Sequence, residues 1–404
     1  TIVPYFYDYP ARAMRVIGIT GTNGKTTTSY LVRAILRHAG RRVGLIGTIQ
    51  AMIEDEVLPT SNTTPDIIVL QQMLAEMRTR GMDTVVMEVS SHALALGRVA
   101  GIEFDTAVFT NLTQDHLDFH KTMENYARAK AHLFELVSAP GAKAGKTAVL
   151  NADDAASETM RAYTRCPIIT YGVDHSADLT AQDVQLACDG MELTLMHGGK
   201  SLFHLHTGIT GLFNVHNVLA AVGASLAEHV AATDIAAALT AFTGVPGRFE
   251  LVREGQDFAV IVDYAHTPDG MENVLRTARA VTKGRIIAVF GCGGDRDRTK
   301  RPIMGRIGAE MADIAILTSD NPRTEDPAAI VNEVERGVLP VIGDKPYEKI
   351  VDRRTAIFHA IQRAQAGDTV VILGKGHETY QILKDGTIHF DDLDQAREAI
   401  RSRA

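Results

Sequence analysis

The feature that most constrains this chain is a glycine-rich loop within Gly18–Thr27, which reads GITGTNGKTT. The apolar run Met14–Thr20 predicts a buried strand that leads into it, and Thr27–His38 has the periodicity of a helix that follows it. Glycines let backbone N–H groups surround a phosphate, and a helix N-terminus adds partial positive charge. Lys25 can reach the outer phosphates, and the Thr26 hydroxyl can ligate Mg²⁺. The loop therefore predicts a site for a nucleoside triphosphate.

Short apolar runs rich in β-branched residues recur along the chain, and each is followed by a turn and a helix-like stretch. They are too continuous for a sheet with one solvated face, so they predict parallel strands that helices cover on both sides, in an α/β fold. After Met14–Thr20, these predicted strands are Thr84–Val89, Thr106–Leu112, Ala148–Asn151, Ala259–Val262, Ile286–Phe290, Ile314–Leu317 and Thr369–Leu373.

The length of 404 residues, at about 150 residues per domain, predicts two to three domains. Two glycines and a proline in Gly244–Gly247 lie between a helical stretch and a new series of strands, which is typical of a hinge. We therefore expect a central domain over residues 11–246 and a C-terminal domain over 247–404. Residues 1–10 are interpreted as a linker or the remnant of a preceding domain.

The composition excludes several classes of protein. Hydrophobic residues at 45% and charged residues at 22% exclude a disordered or fibrous chain. A net charge of -8 argues against a general nucleic-acid binder, although a local site can still be positive. No apolar run is long enough for a membrane helix, so we expect no membrane insertion. The scattered Cys166, Cys188 and Cys292 are expected to be thiols in a reducing cytoplasm.

The loop sequence TGTNGKTT resembles the phosphate loop of the Mur ligases and of their folylpolyglutamate synthase relatives. Further blocks resemble that family in the same order along the chain. They are Glu88–His92, Asn111–Asp118, Tyr126–Lys130, Gly211–Asn217, Gly247–Glu250, Asp263–Pro268, Gly291–Asp297, Asp320–Arg323 and Gly374–Glu378. The resemblance implies a central P-loop-type ATP-binding domain with a parallel sheet and a C-terminal Rossmann-like α/β domain.

The resemblance also implies a function. Mur ligases use ATP to join an amino acid to a carboxylate, and the blocks Asp320–Arg323 and Gly374–Glu378 are similar to those of the member that adds meso-diaminopimelate to UDP-N-acetylmuramoyl-L-alanyl-D-glutamate. We therefore expect an ATP- and Mg²⁺-dependent carbon–nitrogen ligase of peptidoglycan precursor synthesis. Such an enzyme serves cell-wall biogenesis, cell shape and cell division, and works in the cytoplasm on small-molecule substrates.

Two side chains at the ends of predicted strands are candidate metal ligands. A carboxylate and an imidazole beside a phosphate loop suit Mg²⁺, and ligand sites of open α/β sheets gather at such strand ends. With Thr26, these candidates are Glu88 and His116; a hydrogen-bonded structural histidine is the alternative for His116. Lys130 alone resembles a solvated surface lysine, but the resemblance implies that its amine is carboxylated by carbon dioxide to a carbamate. Its pKa must then be depressed by burial or nearby positive charge.

The resemblance assigns the remaining site residues to three ligands. Catalysis is expected from Lys25, Lys130, His116 and Glu88. ATP is expected to contact Gly21, Thr22, Asn23, Gly24, Lys25, Thr26 and Thr27, with Asn217 on the adenine side, Arg248 at the phosphates and Asp263 near the ribose. The muramoyl-peptide is expected at Thr63, Thr64, Ser90 and Arg98, and the incoming amino acid at Arg296, Asp320, Asn321, Pro322, Arg323, Gly374 and Glu378.

Some of these residues have simpler interpretations. Asn217 could be a helix N-cap, the Thr63–Pro65 segment an ordinary loop, and Asp320–Arg323 a turn with a solvated arginine. For the amino-acid site, Arg323 offers a flat fork for the second carboxylate of diaminopimelate, and Glu378 can pair with its ammonium.

One departure from the family concerns the N-terminus. Only about 17 residues precede Gly18, whereas the family carries a uridine-binding domain there. A short form that binds nucleotide without ligase activity is therefore one alternative, and a ligase similar to folylpolyglutamate synthase is another. A GTPase switch is excluded because the sequence lacks an Asn-Lys-x-Asp guanine reader.

Overall fold

The computed structural model describes residues 2–58 and 62–403. The chain forms two compact units. The first unit comprises Thr1–Gln185, Met191–Gly208 and Leu212–Thr243, and the second comprises Leu186–Gly190, Ile209–Gly211 and Gly244–Ala404. The predicted limits of the domains at residues 10 and 246 stay predictions.

The first unit is built on one large sheet. In the described residues its strands are β1 (Arg15–Thr20), β2 (Val43–Ile46), β3 (Ala51–Ile53), β4 (Glu56–Leu58), β5 (Thr84–Glu88), β6 (Thr106–Phe109), β7 (Thr147–Asn151), β8 (Ile168–Gly172), β9 (Leu179–Ala187), β10 (Gly190–His197) and β11 (Lys200–Thr207). Their order is β11-β10-β9-β8-β7-β6-β1-β5-β2-β3-β4. The strands from β2 through β5, β1, β6, β7 and β8 to β9 pair in parallel.

Helices pack on this sheet and enclose an apolar core. They are α1 (Ile2–Phe6), α2 (Lys25–His38), α3 (Ile67–Thr79), α4 (Ser91–Ala95), α5 (Leu117–His120), α6 (Met123–Ser138), α7 (Ser157–Tyr163), α8 (Leu212–Ala227) and α9 (Ala232–Thr240), with a 3₁₀ turn at Pro10–Ala13. Residues of β5 and β6 such as Val85 and Ala107 are wholly buried in the core. The parallel strands are therefore covered on both sides, as their continuous apolar sequences predict.

The second unit has its own sheet and its own core. Its strands are β12 (Glu250–Leu251), β13 (Ala259–Asp263), β14 (Ile286–Phe290), β15 (Ile314–Leu317), β16 (Tyr347–Lys349), β17 (Thr369–Leu373) and the hairpin β18 (Tyr380–Leu383) and β19 (Gly386–His389). Its helices are α10 (Pro268–Val281), α11 (Lys300–Met311), α12 (Pro327–Val338), α13 (Arg353–Arg363) and α14 (Asp392–Arg401). The order β12-β13-β17-β14-β15-β16 is parallel except for β12.

The prediction of an α/β fold is confirmed. The structure differs from the sequence-based prediction at the end of one strand and at the edges of the first sheet. The strand predicted over Thr106–Leu112 ends at Phe109, because Thr110 and Asn111 bond to the phosphate loop instead. Antiparallel strands extend the first sheet at β3–β4 and at β10–β11, where only parallel strands were expected. Gly198 and Gly199 both have positive φ in the two-residue turn of the second hairpin, which is a sequence signal for it.

Candidate active sites

The phosphate loop connects β1 to α2 at the carboxyl end of the first sheet. Gly24 is the N-cap of α2 with φ 84°, and a Cβ atom there would lie 2.3 Å from Oδ1 of Asn217. Only glycine fits such a turn. Nζ of Lys25 donates hydrogen bonds to the carbonyl oxygens of Gly21 and Thr22, at 2.9 and 2.8 Å. Gly24 provides no side-chain cap, so the first amides of α2 suit an anion.

The residues that follow β6 brace this loop. The backbone N–H of Asn23 donates to Oδ1 of Asn111 at 2.9 Å, and Oγ1 of Thr110 donates to the carbonyl oxygen of Asn23 at 2.6 Å. The backbone N–H of Thr22 donates to the carbonyl oxygen of Asn111 at 2.8 Å. The loop is therefore preorganised, which lowers the entropic cost of binding a phosphate.

A buried carboxylate lies beside the first turn of α2. Oε1 of Glu88 accepts a hydrogen bond from the backbone N–H of Thr48 at 2.8 Å, and Oε2 accepts from the hydroxyls of Thr48 and Thr26 at 2.9 and 3.1 Å. In the part of the chain that the structure describes, no cationic side chain pairs with Glu88, which is fully buried. Hard oxygen ligands and an uncompensated buried charge fit Mg²⁺. Thr48 was not predicted from the sequence, although the Gly47-Thr48 pair follows β2 as a signal of a strand-end loop.

His116 lies in a separate cluster of rings. It is the N-cap of α5 with φ 54°, and its ring centroid is 4.8 Å from that of His92 and 6.1 Å from that of Tyr126. Burial lowers the pKa of His116 to about 4, against the raising effect of Asp115. A neutral imidazole can ligate a metal. Among the described residues, however, no group of three or more His, Cys, Asp or Glu side chains is arranged to hold an ion, so His116 as a ligand stays a prediction.

Lys130 is buried rather than solvated, so its interpretation as a surface lysine is wrong. Its Nζ atom donates to the carbonyl oxygen of Gly21 at 2.7 Å and lies 4.4 Å from the ring centroid of Tyr126. Burial, and then the charge of Lys25, holds the pKa of Lys130 well below its usual value. This is the direction of pKa shift that carboxylation of the amine requires, and the carbamate itself stays a prediction.

The residues predicted for the muramoyl-peptide come together near Glu88. The Thr64 hydroxyl donates to the carbonyl oxygen of Glu88 at 2.9 Å and accepts from the backbone N–H of Ser90 at 3.0 Å. Nη1 of Arg98 donates to the carbonyl oxygen of Thr64 at 3.1 Å. The Thr63 and Thr48 hydroxyls are 3.0 Å apart. These contacts make the segment part of an ordered site wall rather than an isolated loop.

Asn217 lies in the interior of α8, so its interpretation as a helix N-cap is wrong. Its Oδ1 atom accepts from the Thr28 hydroxyl at 3.4 Å, and its Nδ2 atom donates to Oδ1 of Asn214 at 2.9 Å. With the close approach to Gly24, these contacts place Asn217 at the phosphate loop. Its predicted contact with adenine is not tested by this geometry.

In the second unit, Arg248 and Asp263 form one cluster with Tyr264 and His377. The guanidinium carbon of Arg248 is 4.6 Å from the ring centroid of Tyr264, and the Tyr264 and His377 rings are 4.8 Å apart. Both carboxylate oxygens of Asp263 accept backbone N–H bonds, from Phe249 at 2.6 Å and from the residue at 265 at 2.7 Å. Burial raises the pKa of Asp263, and Arg248 opposes that rise. Asp263 therefore fixes the backbone beside Arg248, and its contact with ribose stays a prediction.

The second cluster of the same unit lies where β15 and β17 end. Nδ2 of Asn321 donates to Oε2 of Glu378 at 2.8 Å, and Nζ of Lys375 lies 3.1 Å from the same oxygen. Gly374 has φ 117°, and a Cβ atom there would lie 2.9 Å from Oδ2 of Asp320. The sequence predicts Asp320, Asn321, Gly374 and Glu378 as site residues. Lys375 was not predicted, although its position within the Gly374–Glu378 block was the available signal.

Arg323 stands beside this cluster. It has φ 53°, and its Nη1 atom donates to the carbonyl oxygens of Gly294 and Asn321 at 2.9 and 3.4 Å, so the side chain is half-buried and ordered. The carbonyl oxygen of Pro322 would lie 1.9 Å from a Cβ atom at Gly294, so the two segments need that glycine. Arg296 is exposed and donates to the carbonyl oxygen of its neighbour at 295. The structure thus orders Arg323 more firmly than Arg296.

A parallel α/β sheet with a glycine loop, a lysine and a hard-oxygen cluster at its carboxyl edge defines a nucleotide-binding protein of the phosphate-loop type. The Mur ligase middle domain matches residues 19–225, and the glutamate ligase domain of the Mur ligases matches residues 247–376. The chain belongs to the Mur ligase family, whose members are ATP-dependent amide ligases. Membership of this family implies that the cofactors are ATP and Mg²⁺.

Three relatives illustrate the similarity. The UDP-N-acetylmuramoyl-L-alanyl-D-glutamate–2,6-diaminopimelate ligase of Bacillus cereus is 50% identical over 403 residues, which is 100% of this chain and 81% of that protein. The ligase of the same name from Geobacillus thermodenitrificans is 50% identical over 98% of this chain and 81% of its own. A solved structure of a ligase with that name has 36% identity and a TM-score of 0.69, over 98% of this chain and 81% of its own.

More distant structures share the fold alone. Mycobacterium tuberculosis folylpolyglutamate synthase complexed with ADP has 20% identity and a TM-score of 0.76, and the comparison covers 92% of this chain and 90% of that one. No helix in the described residues has the length and apolar character needed to cross a bilayer.

Proposed function

We propose that this chain adds 2,6-diaminopimelate to UDP-N-acetylmuramoyl-L-alanyl-D-glutamate in an ATP-dependent reaction of peptidoglycan precursor synthesis. The observation that carries the proposal is the 50% identity, over the whole chain, with ligases named for that reaction. The ordered Arg323 beside Asn321 and Glu378 supports the choice of amino acid, because it offers a cation for a second carboxylate. We propose that the protein acts in the cytoplasm, because it uses ATP and a nucleotide precursor.

The reaction proceeds in two displacements. The D-glutamyl carboxylate attacks the γ-phosphorus of ATP, so that a P–O bond forms, the bond to ADP breaks and an acyl phosphate results. The substrate amine then attacks the acyl carbon, a C–N bond forms, a proton is lost and phosphate leaves. Lys25 exchanges the loop carbonyl oxygens for phosphate oxygens, and the α2 amides stabilise the same charge. Positioning and charge neutralisation thus account for most of the catalysis.

The protein's groups around the phosphates suit a divalent cation. When bound, Mg²⁺ neutralises phosphate charge. Thr26, Glu88 and His116 are the residues we propose to hold it, and the buried carboxylate of Glu88, bonded only to neutral donors among the described residues, supports that choice. Thr48 orients both oxygens of Glu88 through its backbone N–H and its hydroxyl.

Carboxylation of Lys130 is part of the proposal. The neutral amine attacks carbon dioxide, an N–C bond forms and one proton is released, so a neutral group becomes an anion. Burial of Lys130 and the nearby charge of Lys25 support the neutral amine that this step needs. The Nζ atom that would carry the carbamate donates to the carbonyl oxygen of Gly21 in the phosphate loop.

One assay tests the proposal. ADP release is measured with UDP-muramoyl-dipeptide alone, with diaminopimelate alone and with both. The mass of the product is determined by mass spectrometry. We expect sustained release only with both substrates, and a product equal in mass to their sum less one water. Release that instead requires a folate and glutamate would support the folylpolyglutamate alternative, and nucleotide binding without release under any condition would support an inactive form.

A further inference from the structure

Lys375 is a charged side chain with no exposed surface, in the segment that follows β17. Its Nζ atom lies 3.1 Å from Oε2 of Glu378, 3.3 Å from Oδ1 of Asn321 and 4.0 Å from Oδ1 of Asp320. All three neighbours belong to the proposed amino-acid site. Burying an ammonium group costs free energy unless the group is paired, so the three polar neighbours are needed to compensate the burial of Lys375.

The hydrogen bonds of the cluster fix its geometry through Lys375. Oε2 of Glu378 accepts from both Lys375 and Nδ2 of Asn321, which holds that carboxylate by one oxygen. Oδ1 of Asn321 accepts from Lys375 and from the backbone N–H of Ile382 at 2.9 Å, which sets the orientation of the amide. Removal of Lys375 would therefore take one hydrogen bond from each of Asn321 and Glu378, and leave the bond between these two side chains.

The charges of the cluster do not cancel. Among the side chains of the cluster that contact Lys375, Asp320 and Glu378 contribute two negative charges and Lys375 one positive charge, which leaves one negative charge. Arg323, beside the cluster, donates to carbonyl oxygens and is the proposed partner of the second carboxylate of the substrate. Oδ1 of Asp320 is buried and has no hydrogen-bond partner among the described residues. The nearby Arg353 cannot supply the missing charge, because it already pairs with Asp392 at 2.6 Å. One unbalanced buried carboxylate matches one ammonium group of a ligand.

We propose that Lys375 is a positioning residue of the amino-acid site, which holds Glu378 and Asn321 and cancels one of the two carboxylate charges so that the site binds a single ammonium group. The proposal rests on the proposed function, because it takes diaminopimelate as the substrate. Lys375 acts through its neighbours and does not contact the reacting atoms. Without it, two unbalanced carboxylates would meet the substrate, and Glu378 would be held less firmly, since it would lose its contact with Lys375 and keep the bond from Asn321.

The test uses the full chain with Lys375→Met, which keeps the length of the side chain and removes its charge. We expect KM for diaminopimelate to rise at least about 30-fold, as when one partner of a buried charge pair is removed. KM for ATP and for the muramoyl-dipeptide should stay within about twofold of wild type, because those sites keep their contacts. The control is Lys345→Met, whose exposed lysine donates only to carbonyl oxygens at the end of α11 among the described residues and should change no KM.

Two further variants keep the test decisive. Lys375→Gln retains a hydrogen-bond donor without the charge, and it should raise the same KM if it folds by circular dichroism. The double variant Lys375→Met with Glu378→Gln should be no worse than Glu378→Gln alone, because Lys375 works through Glu378. An unchanged KM, an equal rise for all three substrates, or unfolding of both single variants would overturn the proposal. If wild type itself fails to add diaminopimelate, the proposed function fails instead.

Discussion

At the scale of single residues, the carbonyl oxygen of Gly21 is shared by two amines. Nζ of Lys25 lies 2.9 Å from it and Nζ of Lys130 lies 2.7 Å from it. Burial, and then repulsion between the two positive charges, disfavours the charged form of the more deeply buried amine, which is that of Lys130. In the proposed reaction Lys25 exchanges its bonds to the loop for bonds to phosphate, and its hydrogen bond to the carbonyl oxygen of Gly21 is then lost.

Lys25→Ala should abolish ligation while the fold remains. In the proposed reaction this lysine is the cation that the phosphate loop offers to the γ-phosphate, and the loss of one such group costs about 100-fold or more in kcat. Steady-state ADP release measures the loss, and circular dichroism checks the fold. Arg128→Ala, an exposed residue paired with Glu124, serves as the control. A folded Lys25→Ala protein with the turnover of wild type would contradict the assignment of the loop.

Lys130→Ala should be nearly inactive, and acetate or formate should partly restore it. The small anion would occupy the position of the proposed carbamate, which the alanine variant cannot form. The measurement is the initial rate at increasing carboxylate concentration, with chloride at the same ionic strength as the control. A normal rate without added carboxylate, or a free amine at Lys130 in a nucleotide-bound crystal, would refute the carbamate.

Arg323 should select diaminopimelate over lysine. Removal of one partner from a buried pair of arginine and carboxylate costs about 2–5 kcal/mol, or roughly 30-fold to several-thousand-fold in kcat/KM. Lysine has no second carboxylate, so its poor use should change little in Arg323→Ala. Both amino acids are compared as substrates of wild type and variant. An equal loss for both would indicate a general structural role, and no loss for diaminopimelate would remove Arg323 from the site.

At the scale of elements, the sequence predicts the strands that are buried on both faces and the loops that follow them. Continuous apolar runs such as β14 and β17 have the predicted bounds, because burial alone determines their pattern. The half-exposed β9 to β11 were missed because they are not continuous apolar runs; in β10, for example, Met191, Leu193 and Leu195 alternate with polar residues. Thr48 and Lys375 were missed for another reason. Their importance comes from contacts with residues that are distant in the sequence, and the residue type alone, a threonine or a lysine in a loop, does not indicate such contacts.

Asp153 links the end of β7 to α8, the helix that carries Asn217. It accepts hydrogen bonds from the backbone N–H of Val173 at 2.6 Å and from Nε2 of His216 at 2.9 Å. Burial alone would raise the pKa of Asp153, but these bonds outweigh it and lower the pKa to about 2. The ionised carboxylate therefore stabilises the fold above its unfolded pKa of about 4, and the stabilisation is lost as the pH falls from about 4 towards 2.

Asp153→Asn should consequently lower the free energy of unfolding at pH 7 by about 1–2 kcal/mol, since hydrogen bonds to a charged acceptor become bonds to a neutral one. The difference from wild type should shrink as the pH is lowered through the range below 4. Urea unfolding at several pH values measures it. Asp174→Asn, an exposed neighbour, is the control. A difference that stays constant from pH 7 to pH 3 would mean that the charge of Asp153 does not contribute.

At the scale of the whole molecule, the second unit contains a complete sheet and core in residues 244–404. Its core residues, among them Val260, Ile287 and Ile372, all come from this stretch. The rest of the unit consists of the short segments Leu186–Gly190 and Ile209–Gly211. A unit of this size with its own apolar core has the properties of an independently folding domain.

A fragment of residues 244–404 should therefore fold alone and unfold cooperatively, with a free energy of unfolding of about 5 kcal/mol or more. Urea titration followed by circular dichroism measures it. The matched control is a fragment that begins at residue 284 and lacks β13, the strand between β12 and β17. It should not unfold cooperatively, because β17 loses a parallel neighbour and the core loses Val260 and Val262. If the longer fragment also lacks a cooperative transition, the second unit depends on the first for its stability, and the domain limit predicted at residue 246 does not mark an independent folding unit.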